Sequence, residues 1–416
     1  MLSVELKKLK GTIDVPLSKS LAHRYLICAY IAGDFAAIKE FAEKFEASED
    51  AGYRLCDDVK ATLNSIRKLI EEERPVLNCG ESGTTLRLLL PVAATMGKEA
   101  EFVAEGSLVG RPVKELTDEL KKHGASIEYI EKGVCSDTYS EDDACSNVGN
   151  EITSDGSLRI RLSGKLEPGT YTIPGNISSQ YISGLLLAFY AMGGQSKLNI
   201  EGNIESKSYV AMTEEVIRAY KDFKSVKGQC SSRTELECRI LEGDWSAAAM
   251  WMAAGRLSGD EIVLRGLSEN SLQGDSCFAD ILKKIYERDM VIDISDCPDL
   301  APAIMLAALG TERRIGIAGA GRLRLKESDR LSTLASILRQ LGAEVTEARD
   351  SLTVTGIGDR LLPGSDEPVD CCGDHRMVMF AALASIKCEK AVIIKDPECV
   401  SKSYPGFFEE LKRLQQ

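Results

Sequence analysis

Six stretches of the chain share one pattern of positions, a polar or charged turn that runs directly into an apolar helix. They read SKSLAHRYLICAYIA from Ser18, ESGTTLRLLLPVAA from Glu81 and SSQYISGLLLAFYA from Ser178 in the first half. The second half gives GDWSAAAMWMAAG from Gly243, CPDLAPAIMLAALG from Cys297 and GDHRMVMFAALAS from Gly373. Pieces of a second kind recur between them. LKKHGASIEYI from Leu120 and LRQLGAEVTEA from Leu338 each read as a helix end, a glycine turn and a strand. Each leads into a strand–turn–strand pattern, LRIRLSGKLEPGTYTIPG from Leu158 and LTVTGIGDRLLPGSDEPVD from Leu352. The repeating unit is therefore a mixed strand–helix module of about 65 residues, used six times. Three modules per half predict two similar domains of α/β (α+β type) structure. The N-terminal MLSVELKKLKGTIDV alternates like a strand, and the acidic VCSDTYSEDDACSNVGNE (Val134 to Glu151) reads as a surface loop.

One stretch strains the pattern. GRLRLKESDRLSTLASIL, from Gly321 to Leu338, packs six charged residues into the nine positions from Arg322 to Arg330. Leu323 and Leu325 alternate with Arg322, Arg324 and Lys326, which predicts a short strand with one basic face. Ser328 or Asp329 then caps a helix whose apolar stripe is Leu331, Leu334, Ile337 and Leu338. Arg330 falls in the first helical turn, where the positive end of the helix dipole disfavours a cation. His375 and Arg376, in GDHRM, and Lys19 and Arg24, in SKSLAHR, repeat that anomaly. If six such helix starts converge, their backbone N–H groups and cations together suit a polyanionic ligand.

Composition narrows the choice. At 416 residues the chain has room for two or more full cores. Its net charge of -13 argues against nonspecific binding to nucleic acid or to acidic membranes. An anion site must then be a local basic cluster within an acidic shell. No apolar run approaches the length of a membrane span, and the N-terminus lacks the apolar core of a signal peptide, so a cytoplasmic protein is expected. Thirteen cysteines without CxxC pairs, beside three histidines, read as reduced and mostly buried thiols rather than a zinc set.

Individual positions carry the candidate chemistry. Ser20 and Arg24 share a helical face by their i, i+4 spacing. CGESGTTLR from Cys79 offers glycines and hydroxyls for an anionic group, and Arg111 precedes Pro112 just ahead of another helix. Ser178, Ser179 and Gln180 are neutral donors fit for phosphate and sugar-like hydroxyls, with Ser179 in itself an N-cap candidate. Ser206 and Tyr209 in ESKSYV add to that set, and Lys402 stands ahead of an aromatic-led helix. Asp299 in CPDLAP and Glu327 can each cap a helix, yet two carboxylates among so many cations also suit an acid and a base.

Taken together, SKSLAHR, SGTTLRLL, GRP, SSQ, LRLKESDR, DHRM and KSYPGFFEEL resemble, in order and over essentially the whole chain, the 3-phosphoshikimate 1-carboxyvinyltransferase (5-enolpyruvylshikimate-3-phosphate synthase) family. The resemblance implies two similar globular domains, each of three βαβαββ-type modules, closing over an interdomain cleft, with the chain crossing between them twice. Residues 1–15 plus 242–416 would make one domain and 16–241 the other. It further implies transfer of the enolpyruvyl group of phosphoenolpyruvate to the 5-hydroxyl of shikimate 3-phosphate, without metal or organic cofactor, while the repeats, which satisfy one another, lead to the expectation of a monomer. By the same resemblance Lys19 contacts both substrates. Ser20, Arg24, Ser178, Ser179, Gln180, Ser206, Tyr209, Asp299 and Lys326 correspond to the shikimate 3-phosphate site. Gly83, Arg111, Gln180, Arg330, Arg376 and Lys402 correspond to the phosphoenolpyruvate site. Asp299 corresponds to the base for the 5-hydroxyl and Glu327 to the acid for the methylene carbon.

Three positions depart from the family pattern: Glu81 in place of the usual Asn, Leu17-Ser18 in place of Gly-Asp, and Arg322 where Asn or Glu is common. An enolpyruvyl transferase acting on UDP-N-acetylglucosamine and a catalytically silent anion-binding paralogue are the alternatives. KESDR with the Ser-Ser-Gln set argues against the first, and the intact Asp299 and Glu327 against the second.

Overall fold

The computed structural model describes residues 1–46, 48, 54–130, 156–225 and 232–415, so the acidic stretch from Val134 to Glu151 lies outside the described residues. The chain divides into two compact units. One comprises Met1–Lys19, Glu43–Asp57 and Leu241–Gln416, the other Ser20–Ala42 and Asp58–Ile240.

In each unit one four-stranded sheet is built with the same connectivity. In the first unit Met290–Asp293 pairs parallel with Arg314–Ala318, which pairs antiparallel with Ser351–Thr355, and Glu344–Glu347 closes the far edge antiparallel. The helices Ala301–Leu309 and Arg330–Leu341 connect the strands. In the second unit Val76–Gly80, Ala100–Ala104, Leu158–Gly164 and Ala125–Tyr129 repeat the order and the senses, with Gly83–Thr95 and Lys114–Lys122 as the connecting helices. Strand, helix, strand, helix, strand, strand is thus the full module, seen once in each unit among the described residues. The remaining helix starts pair with smaller sheets. Ser179–Ala191 crosses between the parallel strands Thr170–Pro174 and Lys197–Glu201. The N-terminal alternation resolves into two short strands of different sheets. Leu2–Val4 lies antiparallel to Val392–Ile394, and Gly11–Asp14 parallel to Ile262–Arg265.

All six polar-to-apolar stretches begin helices, and side-chain caps explain four of them. Ser82, Ser178, Asp244 and Asp374 each accept a backbone N–H of the first turn. Ser178, not Ser179, is therefore the cap of its helix, because its side chain accepts from the Gln180 N–H at 3.3 Å. Small residues let these helices approach closely. A Cβ on Gly184 would stand 2.3 Å from the Arg87 carbonyl oxygen, so this glycine permits the close contact of Ser179–Ala191 with Gly83–Thr95.

Two local expectations fail. Gly321–Leu325 is a 3-10 turn rather than a strand. Leu323 is fully buried while Leu325 is 54% exposed, which two residues on one face of a strand would not be. After Leu352 one strand forms, and the second is reduced to single bridges at Leu362 and Val369. The ten described cysteines are free thiols as read, but only five of them are buried.

Candidate active site

Arg330 is the first residue of its helix, and Asp329 caps that helix by accepting the Ser332 N–H at 2.9 Å. The Arg330 side chain is 1% exposed and spends its guanidinium on three carboxylates. Nε donates to Asp374 Oδ2 at 2.8 Å and Nη2 to Asp374 Oδ1 at 3.3 Å. Nη1 donates to Asp299 Oδ1 at 2.8 Å, and Nη2 also reaches Glu327 Oε2 at 2.5 Å. Burial opposes its charge, but Asp374, Glu327 and Asp299 together outweigh burial and hold the guanidinium above its usual range.

Asp299 lies in the 3-10 turn Pro298–Leu300 and is the shared acceptor of the first unit. Beside Arg330, Lys326 Nζ lies 3.4 Å from its Oδ1, and Arg376 Nη2 donates to its Oδ2 at 3.0 Å. Burial works against this carboxylate, yet Arg376, Lys326, Arg330 and Lys19 together hold it well below the usual carboxylate range. Burial lowers the Lys326 ammonium, and the Asp299 charge offsets only part of that. Lys402 donates to the Gly373 carbonyl at 2.9 Å and so ties down the turn before Asp374. The structure therefore brings Lys19, Asp299, Lys326, Glu327, Arg330 and Arg376 into one electrostatic cluster. Neither Asp299 nor Glu327 caps a helix.

The basic face expected for Arg322, Arg324 and Lys326 is divided. Arg324 points to the far side, donating to Asp329 at 2.8 Å, to Glu347 at 3.1 Å and to the backbone at Ala348 and Arg349. A 3-10 turn sends successive side chains about a third of a turn apart, so alternation cannot keep them together.

A separate set forms in the second unit. Arg24 is buried and donates to Thr213 Oγ1 at 2.7 Å, the Ser20 carbonyl at 2.7 Å, the Tyr209 carbonyl at 3.1 Å and Ser183 Oγ at 3.3 Å. Burial lowers its pKa to about 10. The i, i+4 relation of Ser20 and Arg24 is real, but it runs through the Ser20 backbone. Arg24 acts here as a strap that fixes the helix starts bearing Ser20 and Tyr209. Ser206 precedes the second of these with φ of 55°, a left-handed conformation costly for a non-glycine residue and often kept at functional positions.

Gln180 accepts from Arg87 Nη1 at 2.7 Å and donates to Thr84 Oγ1 at 2.9 Å. Arg87 also holds the Pro112 carbonyl, at 2.7 Å from Nη2 and 3.2 Å from Nε. A Cβ on Gly83 would stand 2.9 Å from Arg87 Nη1 and 3.3 Å from Arg111 Cζ, so Gly83, Gln180 and Arg111 border one group of donors. Glu81 is turned onto the next loop, where its Oε2 accepts the Ser107 N–H at 3.0 Å and the Ser107 hydroxyl at 2.6 Å.

Sequence reasoning passed over three supporting residues. Asp374 is marked in the sequence only by its place beside His375 and Arg376, which point to the basic cluster. Arg87 sits four residues after Gly83, one turn along the same helix face. Asp275 gave no signal; it is buried, accepts from the Ser246 hydroxyl, and is pushed up to about 7 by burial and by the charge of Asp299.

Two mixed α/β units, each with the same strand–helix module and its own set of basic and hydroxyl side chains at helix starts, define an enolpyruvyl-transferase type of protein. The family model of EPSP synthase (3-phosphoshikimate 1-carboxyvinyltransferase) matches residues 4–148 and 143–411, and the chain belongs to this family. Curated 3-phosphoshikimate 1-carboxyvinyltransferases are similar over nearly the full length. The Clostridium kluyveri protein is 36% identical, covering 99% of this chain and 96% of its own. That of Clostridium acetobutylicum is 34% identical, covering 98% and 95%. Among solved structures, EPSP synthase from Acinetobacter baumannii aligns over 99% of this chain and 98% of its own, with a TM-score of 0.67 at 20% identity. An enolpyruvyl transferase from Streptomyces tendae aligns with a TM-score of 0.57 at 16% identity, covering 99% and 96%. These last two speak for the fold.

Proposed function

We propose that the chain transfers the enolpyruvyl group of phosphoenolpyruvate to the 5-hydroxyl of shikimate 3-phosphate, with Asp299 as base and Glu327 as acid. The single observation that carries this reading is Asp299 held between Arg330, Lys326 and Arg376, with Glu327 on the same guanidinium. Arg330, Arg376, Lys402 and Arg111 bind the phosphate and carboxylate of phosphoenolpyruvate, with Gly83 leaving room and Gln180 donating. Ser178, Ser179, Gln180, Ser206 and Tyr209 receive shikimate 3-phosphate, with Ser20 set by the Arg24 strap and with Lys19 and Lys326.

The charge network gives the order of events. As it stands, Asp299 is a poor base, because several cations stabilise its ionised form. Anionic groups of phosphoenolpyruvate compete for those guanidinium forks. Once Arg330 and Arg376 turn to the substrate, Asp299 regains basicity and Glu327 is released to carry a proton. Glu327 then protonates the methylene carbon, the 5-oxygen attacks the oxocarbenium-like centre, and Asp299 takes the hydroxyl proton. In the second stage the Glu327 carboxylate takes a proton back from the new methyl group of the tetrahedral adduct as the C–O bond to phosphate breaks. Lys19 and the arginines bear the leaving charge.

A phosphate-release assay with shikimate 3-phosphate and with UDP-N-acetylglucosamine as alternative acceptors tests the reading. Turnover with the first alone is expected, and turnover with the UDP-sugar alone would overturn it. The names of the curated relatives favour the first acceptor. No helix among the described residues is long and apolar enough to cross a membrane. A cytoplasmic monomer fits that reading, because the modules bury one another's apolar faces.

A further inference from the structure

Two thiols flank the carboxylates of the first unit. Cys277 ends the 3-10 turn Gly274–Cys277, two residues after Asp275, and Cys297 immediately precedes the turn Pro298–Leu300, two residues before Asp299. Their sulfurs lie 3.9 Å apart, within hydrogen-bond range for sulfur. The Cys277 residue is exposed and Cys297 is buried. The proposed catalysis uses neither thiol. We propose that Cys277 and Cys297 form a reversible redox site, in which a hydroperoxide oxidises Cys277 and Cys297 closes the disulfide, displacing the Asp299 turn and slowing turnover.

The two thiols differ in the way such a pair requires. The sulfur–sulfur contact lowers the Cys277 pKa, whereas that same contact, with burial, raises that of Cys297. Cys372, also exposed, is held above the usual thiol range by burial. Reaction therefore begins at Cys277, the member of the pair that is exposed to solvent. Its thiolate attacks an oxygen of the hydroperoxide, the O–O bond breaks, and a sulfenic acid forms as the alcohol or water leaves. The Cys297 sulfur then attacks the sulfenic sulfur, its proton leaves with the departing hydroxide as water, and the S–S bond forms. Two thiols and one hydroperoxide give one disulfide, one alcohol or water, and one further water. A small-molecule dithiol reverses the step by exchange.

The consequence for Asp299 follows from the backbone. A disulfide draws the sulfurs from 3.9 Å to about 2.05 Å, a closure shared between side-chain rotation and movement of the two turns. The Cys297 carbonyl accepts the Leu300 N–H at 3.1 Å and thereby closes the turn that carries Asp299. Movement at Cys297 is transmitted to a carboxylate whose contacts to Arg330 and Arg376 are 2.8 and 3.0 Å. A displacement near 1 Å at a reacting group costs on the order of a hundredfold in rate. This last step rests on the proposed role of Asp299.

The test treats the full-length protein with hydrogen peroxide, maps its peptides by mass spectrometry and measures turnover before and after dithiothreitol. A Cys277–Cys297 cross-linked peptide is expected, with turnover reduced at least tenfold and restored by the dithiol. Cys277→Ser should match the untreated protein in turnover, form no cross-link and keep its activity in peroxide. Absence of the cross-linked peptide would overturn the redox site itself. A cross-link that leaves turnover unchanged, or a Cys277→Ser variant that loses activity equally, would overturn its coupling to Asp299. Should the reduced protein show no transfer at all, the catalytic reading fails, and the peptide map still decides the thiol pair.

Discussion

Arg330 Nη1 donates to Asp299 Oδ1 across 2.8 Å, so the cation that opens one helix is bound to the acid that precedes another. A positive side chain at a helix N-terminus works against the dipole. Here Asp374, Glu327 and Asp299 reverse that balance, and the misplaced charge becomes the anchor of three carboxylates.

Removing the anchor leaves those carboxylates without their main counter-charge. Arg330→Met should lower the unfolding free energy by about 3–5 kcal/mol, the usual effect of breaking a buried ion pair from one side. Arg330→Lys keeps a charge but loses the fork that serves Asp374 and Asp299 together. It should lose less stability while raising KM for phosphoenolpyruvate at least tenfold. Urea unfolding and steady-state kinetics on both variants read these effects. An Arg330→Met protein as stable as the parent would show that the network contributes nothing to the fold.

Glu327→Gln removes the proposed proton donor and keeps the shape. A general acid typically contributes a factor of about 10²–10⁴, so turnover should fall by that range. Calorimetric titration with shikimate 3-phosphate should give a dissociation constant within a few-fold of the parent, because Glu327 is not assigned to that ligand. An unchanged turnover number would remove Glu327 from the reaction.

The helix starts were legible because capping chemistry is local, and Ser, Asp and Gly before an apolar run carry their own reason. Partners were less legible. Arg24 and Ser20 share a face as their spacing requires, yet the sequence does not say that Arg24 is consumed by Thr213, Ser183 and Tyr209, which lie far along the chain. Arg322 to Lys326 misled because two leucines at i and i+2 fit a strand equally well, and burial of one of them alone marks the 3-10 turn. Asp275 stayed silent because what distinguishes it is a neighbour, Asp299, brought close only by folding.

Gly83 sets the space around the donors of the second unit. A methyl group there would meet Arg87 Nη1 at 2.9 Å and Arg111 Cζ at 3.3 Å, and guanidinium ends can yield more easily than backbone. Gly83→Ala should therefore fold normally, with a midpoint of thermal unfolding near that of the parent. Displacement of Arg111 and Arg87 should raise KM for phosphoenolpyruvate several-fold, while KM for shikimate 3-phosphate and turnover change less. Equal increases in both KM values would argue against a specific role for this loop with phosphoenolpyruvate.

Asp275 and Asp299 make opposite contributions to the pH dependence of stability. Asp299 is depressed, so its stabilisation is present above the unfolded carboxylate range and is lost only as pH falls through its lower folded pKa. Asp275 is raised to about 7 from 3.8, so between those values the folded chain binds the extra proton. Its contribution is therefore full below about pH 4 and is lost as pH rises to about 7. His375 runs the other way, since burial and then the charge of Lys19 hold it well below 6.5, and the folded state gains on it as pH rises towards that value. The two effects separate by difference, because Asp275→Asn removes one and leaves the other. From pH 5 to pH 8 the stability of the parent relative to this variant should fall by on the order of 2–3 kcal/mol. Urea unfolding of both proteins at the two pH values measures it. A difference independent of pH would mean that Asp275 is ionised beside Asp299 throughout, and that Arg376 and Ser246 suffice to hold both charges.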